Sequence, residues 1–177
     1  MVLDLDDGRR IAYINRRMIG RIGLVPDMAA DVRAKKLGPD ALDRRLSPDV
    51  FRRALAGRRG AIKAVLMDQE VVAGIGNEYS DEILFQAGLH PATPAAALDA
   101  RALGRLYRHM RKVLTQAVAA GADHARFPKR FLIPNRRAGA PCPRCGGTVS
   151  RLHIGGRTGY FCETCQSKPG SERDRGN

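Results

Sequence analysis

Four cysteines, grouped as Cys142-Pro143-Arg144-Cys145 and Cys162-Glu163-Thr164-Cys165, narrow what this chain can become more than any other feature. Each C-x2-C pair lets two thiolates from one turn reach a single ion, and residues 146–161 can form a β-hairpin that brings the pairs together. Soft sulfur ligands in a tetrahedral set select zinc or iron. Four thiolates fill every position and leave none for water, so the metal is expected to be structural and not catalytic. A redox dithiol, or plain buried cysteines, is the other reading of such pairs. The chain has only these four cysteines, which excludes a disulfide framework spread through the fold. His153 is expected on the surface, since the sulfurs already complete the site. Gly155-Gly156 permits a tight turn that presents Arg157 at the tip of a metal-clamped ribbon. A guanidinium there can grip a phosphate through two parallel hydrogen bonds, or simply be solvated.

The chain of 177 residues is strongly basic, with 31 Lys+Arg against 18 Asp+Glu for a net charge of +13. With 44% apolar and 28% charged residues it should bury a core. The charge makes a polyanion the leading partner, with a solvated basic surface as the alternative. No apolar run reaches the roughly 18 residues a bilayer span needs. Met1-Val2-Leu3-Asp4 is acidic where a signal peptide is basic and then apolar, so the expected location is cytoplasmic, with no membrane partner.

Residues 1–24 alternate around an Asp7-Gly8 turn and predict a β-hairpin. Alone it would leave Leu3, Leu5, Ile11 and Tyr13 without an opposing sheet, so a covering element is expected outside this chain. Pro26 to Lys36 reads as a linker. Ser47-Pro48-Asp49 supplies a cap, a first-position proline and an acid for a helix through Leu55. A second helix is expected from Gly60 to about Asp68, with Lys63 free to point outward, and a third from Glu78 to Ala87, closed by Gly88. The longest runs from Thr93-Pro94 or Asp99 to Gly121, where Leu103, Leu106, Tyr107, Met110, Leu114 and Val118 form a core stripe. Its other face carries Arg101, Arg105, Arg108, Arg111 and Lys112, either solvated or in contact with nucleic acid. Residues 122–141 read as a basic loop, the tail from Ser167 as disordered, and no internal repeat is present.

Gly74-Ile75-Gly76-Asn77 precedes the third helix, so unpaired N–H groups, the positive end of the helix dipole and the Asn77 side chain offer a phosphate seat. Lys63 and Arg58 strengthen it if they face the same side. Asp68, Glu78, Asp81 and Glu82 point to local pairing or capping, or less readily to a carboxylate pair for acid–base chemistry.

With those pieces placed, Met67-Asp68-Gln69 and Val72-Ala73-Gly74-Ile75-Gly76-Asn77-Glu78-Tyr79-Ser80-Asp81-Glu82-Ile83-Leu84-Phe85, followed by Ala87-Gly88-Leu89-His90-Pro91, resemble the helix-two-turns-helix signature of the formamidopyrimidine-DNA glycosylase / endonuclease VIII family. Arg137, Gly139, the four cysteines, Gly156-Arg157, Tyr160 and Gln166 resemble its terminal zinc finger. The resemblance runs from about residue 8 to Gln166. It implies removal of oxidised bases from DNA and cleavage of the abasic site, by a catalytic β-sandwich joined to helical and zinc modules, with DNA in the groove between the halves. Carried over position by position, it makes Asn77 and Arg157 grips on phosphates around the lesion, and Lys63 and Arg58 further DNA contacts. Asn15-Arg16-Arg17-Met18-Ile19-Gly20 resembles the void-filling loop, with Arg17 reaching into the space left by the everted base and Ile19 in place of a phenylalanine wedge. Arg157 stands where the family assists the second elimination, a role better filled by stabilising the leaving phosphate than by donating a proton. The short segment from Gly121 to Pro134 argues against tight selectivity for oxoguanine.

The same resemblance implies a nucleophilic N-terminal proline followed by a glutamate, where this chain has Met1-Val2-Leu3-Asp4. The expectation is therefore a C-terminal portion lacking the catalytic domain, with base excision lost and a lyase step surviving only through a substitute amine. The expected fold is mixed α+β. Residues 1–25 are a sandwich remnant, 26–36 a linker, 37–137 a helix-two-turns-helix DNA-binding domain, 138–166 a zinc finger holding one structural zinc ion, and 167–177 a tail. The expected partner is double-stranded DNA with damaged or abasic sites, bound by a monomer that is bacterial-type and nucleoid-associated. The alternative is a non-catalytic zinc-ribbon protein for duplex DNA or RNA.

Overall fold

The computed structural model describes residues 1–15 and 22–168. Arg17, Ile19 and most of the 167–177 tail lie outside the described residues. Residues 1–35 and 36–177 form two compact units.

In the first unit, β1 (Val2–Asp4) pairs antiparallel with β2 (Arg10–Ala12) around the Asp7-Gly8 turn, with Leu3 opposite Ile11. The strands are shorter than the alternation suggests, and both Leu3 and Ile11 are exposed. The stretch expected as a bare linker contains α1 (Met28–Ala34), started by Asp27, whose carboxylate accepts from the Ala29 and Ala30 N–H groups. The helix is short and none of its residues is buried, although five of the seven are apolar. It is set by its cap and by the Lys35–Asp31 pair one turn apart, and Met28 and Val32, one turn apart, are both exposed.

The second unit is helical and ends in a hairpin. α2 (Pro48–Leu55) is capped by the Ser47 hydroxyl and opens on Pro48, as the sequence signals. α3 (Ile62–Met67) is shorter than expected. α4 (Asn77–Ala87) follows the Gly74–Gly76 turn and closes at Gly88. α5 (Ala100–Ala119) starts where the Asp99 carboxylate accepts from the Ala102 N–H at 2.6 Å. Phe51, Leu55, Ile62, Leu66, Val72, Ile75, Ile83, Leu106, Met110 and Val113 pack between these helices as one buried cluster. Each such side chain contributes about 1.5–3 kcal/mol on leaving water, which is why an amphipathic α5 and a nearly all-round buried α4 hold together.

Residues 122–141 carry two single-turn 3-10 segments, His124–Arg126 and Ile133–Asn135. β3 (Val149–Ile154) then pairs antiparallel with β4 (Arg157–Cys162). A second cluster of Phe85, Leu132, Ala140, Cys142, Val149 and Cys162 joins α4 to this hairpin. Among the described residues no helix is long and apolar enough to cross a membrane.

Candidate nucleic-acid interface and metal centre

The hairpin turn is the two-residue kind that Gly155-Gly156 allows. Both glycines have positive φ, +56° and +70°, which suits the right-handed twist of the flanking strands. Ile154 and Arg157 are the last paired residues, so Arg157 is held on a ladder position beside the turn, exposed at its side chain. At the other end, all four cysteine sulfurs lie within 4.8 Å of one another. The Cys145–Cys162 and Cys142–Cys165 Sγ separations are 3.6 Å and 3.9 Å. A tetrahedron of sulfurs about 2.3 Å from zinc has edges of about 3.8 Å, close to these two separations, so the set can close on that ion with small side-chain adjustments. His153 is exposed and stands opposite Thr158, apart from the sulfurs.

Arg157 and Asn77 are far apart in sequence, yet they line one cleft of ≈ 370 Å³ with Gly74, Ile75, Gly76, Met67 and Gln69. The cleft opens at the N-terminus of α4, where backbone N–H groups have no intrahelical acceptor and the helix dipole is positive. Gln69 shapes the turn: its Nε2 donates to the Met67 and Ile75 carbonyls, and its Oε1 accepts from the Gly74 N–H. Asn77 Nδ2 donates to the Thr158 carbonyl at 2.9 Å, fastening the start of α4 to β4 and leaving its second N–H.

Lys63 is the main correction to the sequence expectation. It does not point outward: the side chain has no exposed surface, and its ammonium donates to Asp81 Oδ1 (2.7 Å), Ser80 Oγ (2.7 Å) and the Asn77 carbonyl (3.1 Å). Burial pulls its pKa below the ordinary lysine value, Asp81 opposes that, and Arg136 and Arg157 add to it. Asp81, also fully buried, spends its other oxygen on Arg136 Nε and Nη2 and on the Tyr160 N–H. One carboxylate thus ties α3, α4, Arg136 and β4 together. A buried ion pair of this kind holds because each Asp81 oxygen accepts from a charged donor. Arg58 is half-exposed and pairs with Asp68 at 3.6 Å.

Sequence reasoning named Asp81 as a pairing or capping acid, or one of a carboxylate pair, and missed Arg136 altogether. The single clue was an acid spaced one turn after Asn77, on the same helix face. Gln166, which the sequence offered only as part of the zinc-finger resemblance, is fully buried; it accepts from the Cys162 N–H and donates to the Leu89 carbonyl, linking the metal knuckle to the end of α4.

Residues 37–129 match the family described as the formamidopyrimidine-DNA glycosylase H2TH domain, and residues 139–168 match the zinc finger found in FPG and IleRS. The chain belongs to the formamidopyrimidine-DNA glycosylase family. The family's enzyme from Thermomicrobium roseum is 39% identical over 167 residues, covering 88% of this chain and 58% of the relative. That of Paracoccus denitrificans is 39% identical over 179 residues, covering 94% of this chain and 63% of the relative. The chain thus spans about three-fifths of the length of these relatives. The crystal structure of the MutM (Fpg) protein from Thermus thermophilus superposes with a TM-score of 0.78 at 34% identity, covering 95% of this chain and 68% of that one. Lactococcus lactis Fpg in complex with DNA containing an abasic site superposes at 0.68 with 28% identity, covering 79% and 55%. The mixed α+β expectation holds, and in this formamidopyrimidine-DNA glycosylase relative Cys142, Cys145, Cys162 and Cys165 form the site of one structural zinc ion.

Proposed function

We propose that these residues grip duplex DNA around a damaged or abasic site, as the DNA-holding portion of a bifunctional glycosylase and abasic-site lyase. The observation that carries this reading is the cleft that gathers Asn77, the α4 N-terminus and Arg157 from opposite ends of the unit. Asn77 and Arg157 hold phosphates flanking the lesion, and Arg157 also stabilises the phosphate that leaves in an elimination step. Lys63 acts as a positioning residue: its ammonium fixes the start of α4 and, through Asp81, the strand that carries Arg157. Arg58 adds a phosphate contact by exchanging Asp68 for DNA, and Arg17 fills the space of the everted base. Residues 37–137 and 138–166 work together as one clamp.

The test is a labelled duplex with one abasic site, read by anisotropy across a salt series and by borohydride trapping. Binding should weaken steeply with salt, and Arg157→Ala should cost about tenfold in affinity and lower the slope of log K against log salt by about 0.9. Salt-independent binding, or equal competition by double-stranded RNA, would overturn the reading. A trapped crosslink would identify an amine of this chain that carries the lyase step.

A further inference from the structure

A second concavity shares no residue with the cleft at Asn77 and Arg157. It lies toward the other end of α4 and has a volume of ≈ 270 Å³. Gln86 marks its position: nine residues beyond Asn77, it stands about 14 Å further along the helix axis. Buried Val113 and Phe131 give it an apolar floor, while Lys112 of α5, Arg130 of the loop and Arg144 of the metal knuckle stand around it with His109.

The rim is built, not incidental. The Arg144 guanidinium lies 4.4 Å over the Phe85 ring and donates to Gln86 Oε1 at 3.1 Å. Gln86 Nε2 donates to the Arg130 carbonyl and to Glu82 Oε1. One amide therefore pins the knuckle arginine and the loop to α4. Glu82 sits behind it, fully buried, with Oε2 accepting from the Ile133 N–H. α5 carries no acid. Among the described residues no carboxylate lies within ion-pairing distance of Arg105, Arg108, Lys112, Arg130 or Arg144. The pKa of His109 is depressed first by burial and then by Lys112, Arg144, Arg108 and Arg105. Cations are thus crowded around a half-buried imidazole, with the buried Glu82 behind Gln86 as the acid that feels Arg144 and no carboxylate in direct contact with them, at a cost that a bound phosphate would offset.

We propose that this concavity is a second phosphate-binding site, taking a backbone phosphate of a duplex segment other than the one held at Asn77 and Arg157. The same chemistry would accept free inorganic phosphate, so the test separates the two sources. In the zinc-loaded full chain, the His109 imidazole is titrated by NMR alone, with millimolar inorganic phosphate, and with an undamaged duplex. The duplex should raise the His109 midpoint by about one pH unit. The shift should vanish in Lys112→Gln/Arg130→Gln, both exposed positions whose substitution leaves the core untouched. The same variant should lose about two from the salt slope of duplex binding, and more than Arg44→Gln/Arg53→Gln, which removes equal charge elsewhere. A His109 response to inorganic phosphate with no response to duplex would keep the site and assign it to the free anion. No response to either, or equal slopes for the two charge-removed variants, would overturn the proposal. Asn77→Ala distinguishes this from the main reading: it should weaken binding to the abasic duplex and leave the His109 response intact.

Discussion

At the scale of single residues, the cleft depends on how little room surrounds the Lys63–Asp81 pair. Gly159 of β4 lies against it: a Cβ there would stand 2.8 Å from Lys63 Cε and 3.0 Å from Asp81 Oδ1. Neither side chain can withdraw without stranding a buried charge, so Gly159→Ala should cost about 2–3 kcal/mol in a denaturant titration. A neutral result would mean the pair relaxes freely and does not brace the cleft. Glu82 makes a second prediction, with a definite sign. Burial lifts its carboxyl from an ordinary 4.5 to about 7, against the hydrogen bonds from Gln86 and the Ile133 and Leu132 N–H groups and the charge of Arg144. Between those values the folded form binds more protons than the unfolded one, so this group's contribution to stability falls as pH rises from about 4.5 to 7 and stays low above it. The full penalty is about 3 kcal/mol. Glu82→Gln keeps a neutral acceptor for the Ile133 N–H and removes the ionisation. Relative to the parent protein, it should therefore be more stabilising at about pH 8 than at about pH 5. An equal difference in melting temperature at both pH values would refute this.

Elements differ in how openly the sequence declares them. α2, α4 and α5 were legible because their ends are chemical: Ser47-Pro48, Gly88 and Asp99 are local signals that the structure uses as caps or stops. The metal knuckles were legible for the same reason, since ligand spacing is a local property. α1 was not, because in seven residues Met28 and Val32 make a single i, i+4 repeat, too short an apolar pattern to read. The direction of Lys63 was hidden for a different reason. Whether a lysine on a six-residue helix faces solvent or a carboxylate depends on Asp81 and Arg136, and no local pattern carries that long-range pairing. The β3–β4 turn is the element whose sequence requirement is sharpest. Positive φ at both central positions suits Asn-Gly as well as Gly-Gly, so Gly155→Asn should keep the fold and DNA affinity. Gly156→Val cannot take that conformation without strain. It should shift the end of the ladder that carries Arg157 and lower affinity for an abasic duplex severalfold, with the melting temperature reporting the strain separately. Equal binding by the two variants would show that the turn does not set the Arg157 position.

Across the whole molecule, the cleft at Asn77 and Arg157 has one wall on a helix and the other on a metal-held hairpin, so its integrity is a joint property of two buried clusters. The helical cluster centred on Phe51, Ile62, Ile83, Leu106 and Met110 contains no metal ligand, whereas the second cluster includes Cys142 and Cys162 themselves. Zinc binding energy is folding energy for a hairpin this small, because two strands alone are marginal in water. Loss of the ion should therefore release β3 and β4 while the helices persist. The bonds that cross between the parts would go with the hairpin: Asn77 to the Thr158 carbonyl, the Tyr160 N–H to Asp81, and Gln166 to the Leu89 carbonyl. Arg157 would then leave the cleft, and Asp81 would lose one of the donors that balance its buried charge. A chelator that removes zinc should abolish binding to the abasic duplex while most of the helical circular dichroism remains, and added zinc should restore binding. Unchanged affinity after verified zinc loss would mean that the helix N-terminus holds the phosphate alone. Loss of helical signal in step with binding would mean that the two clusters fold as one.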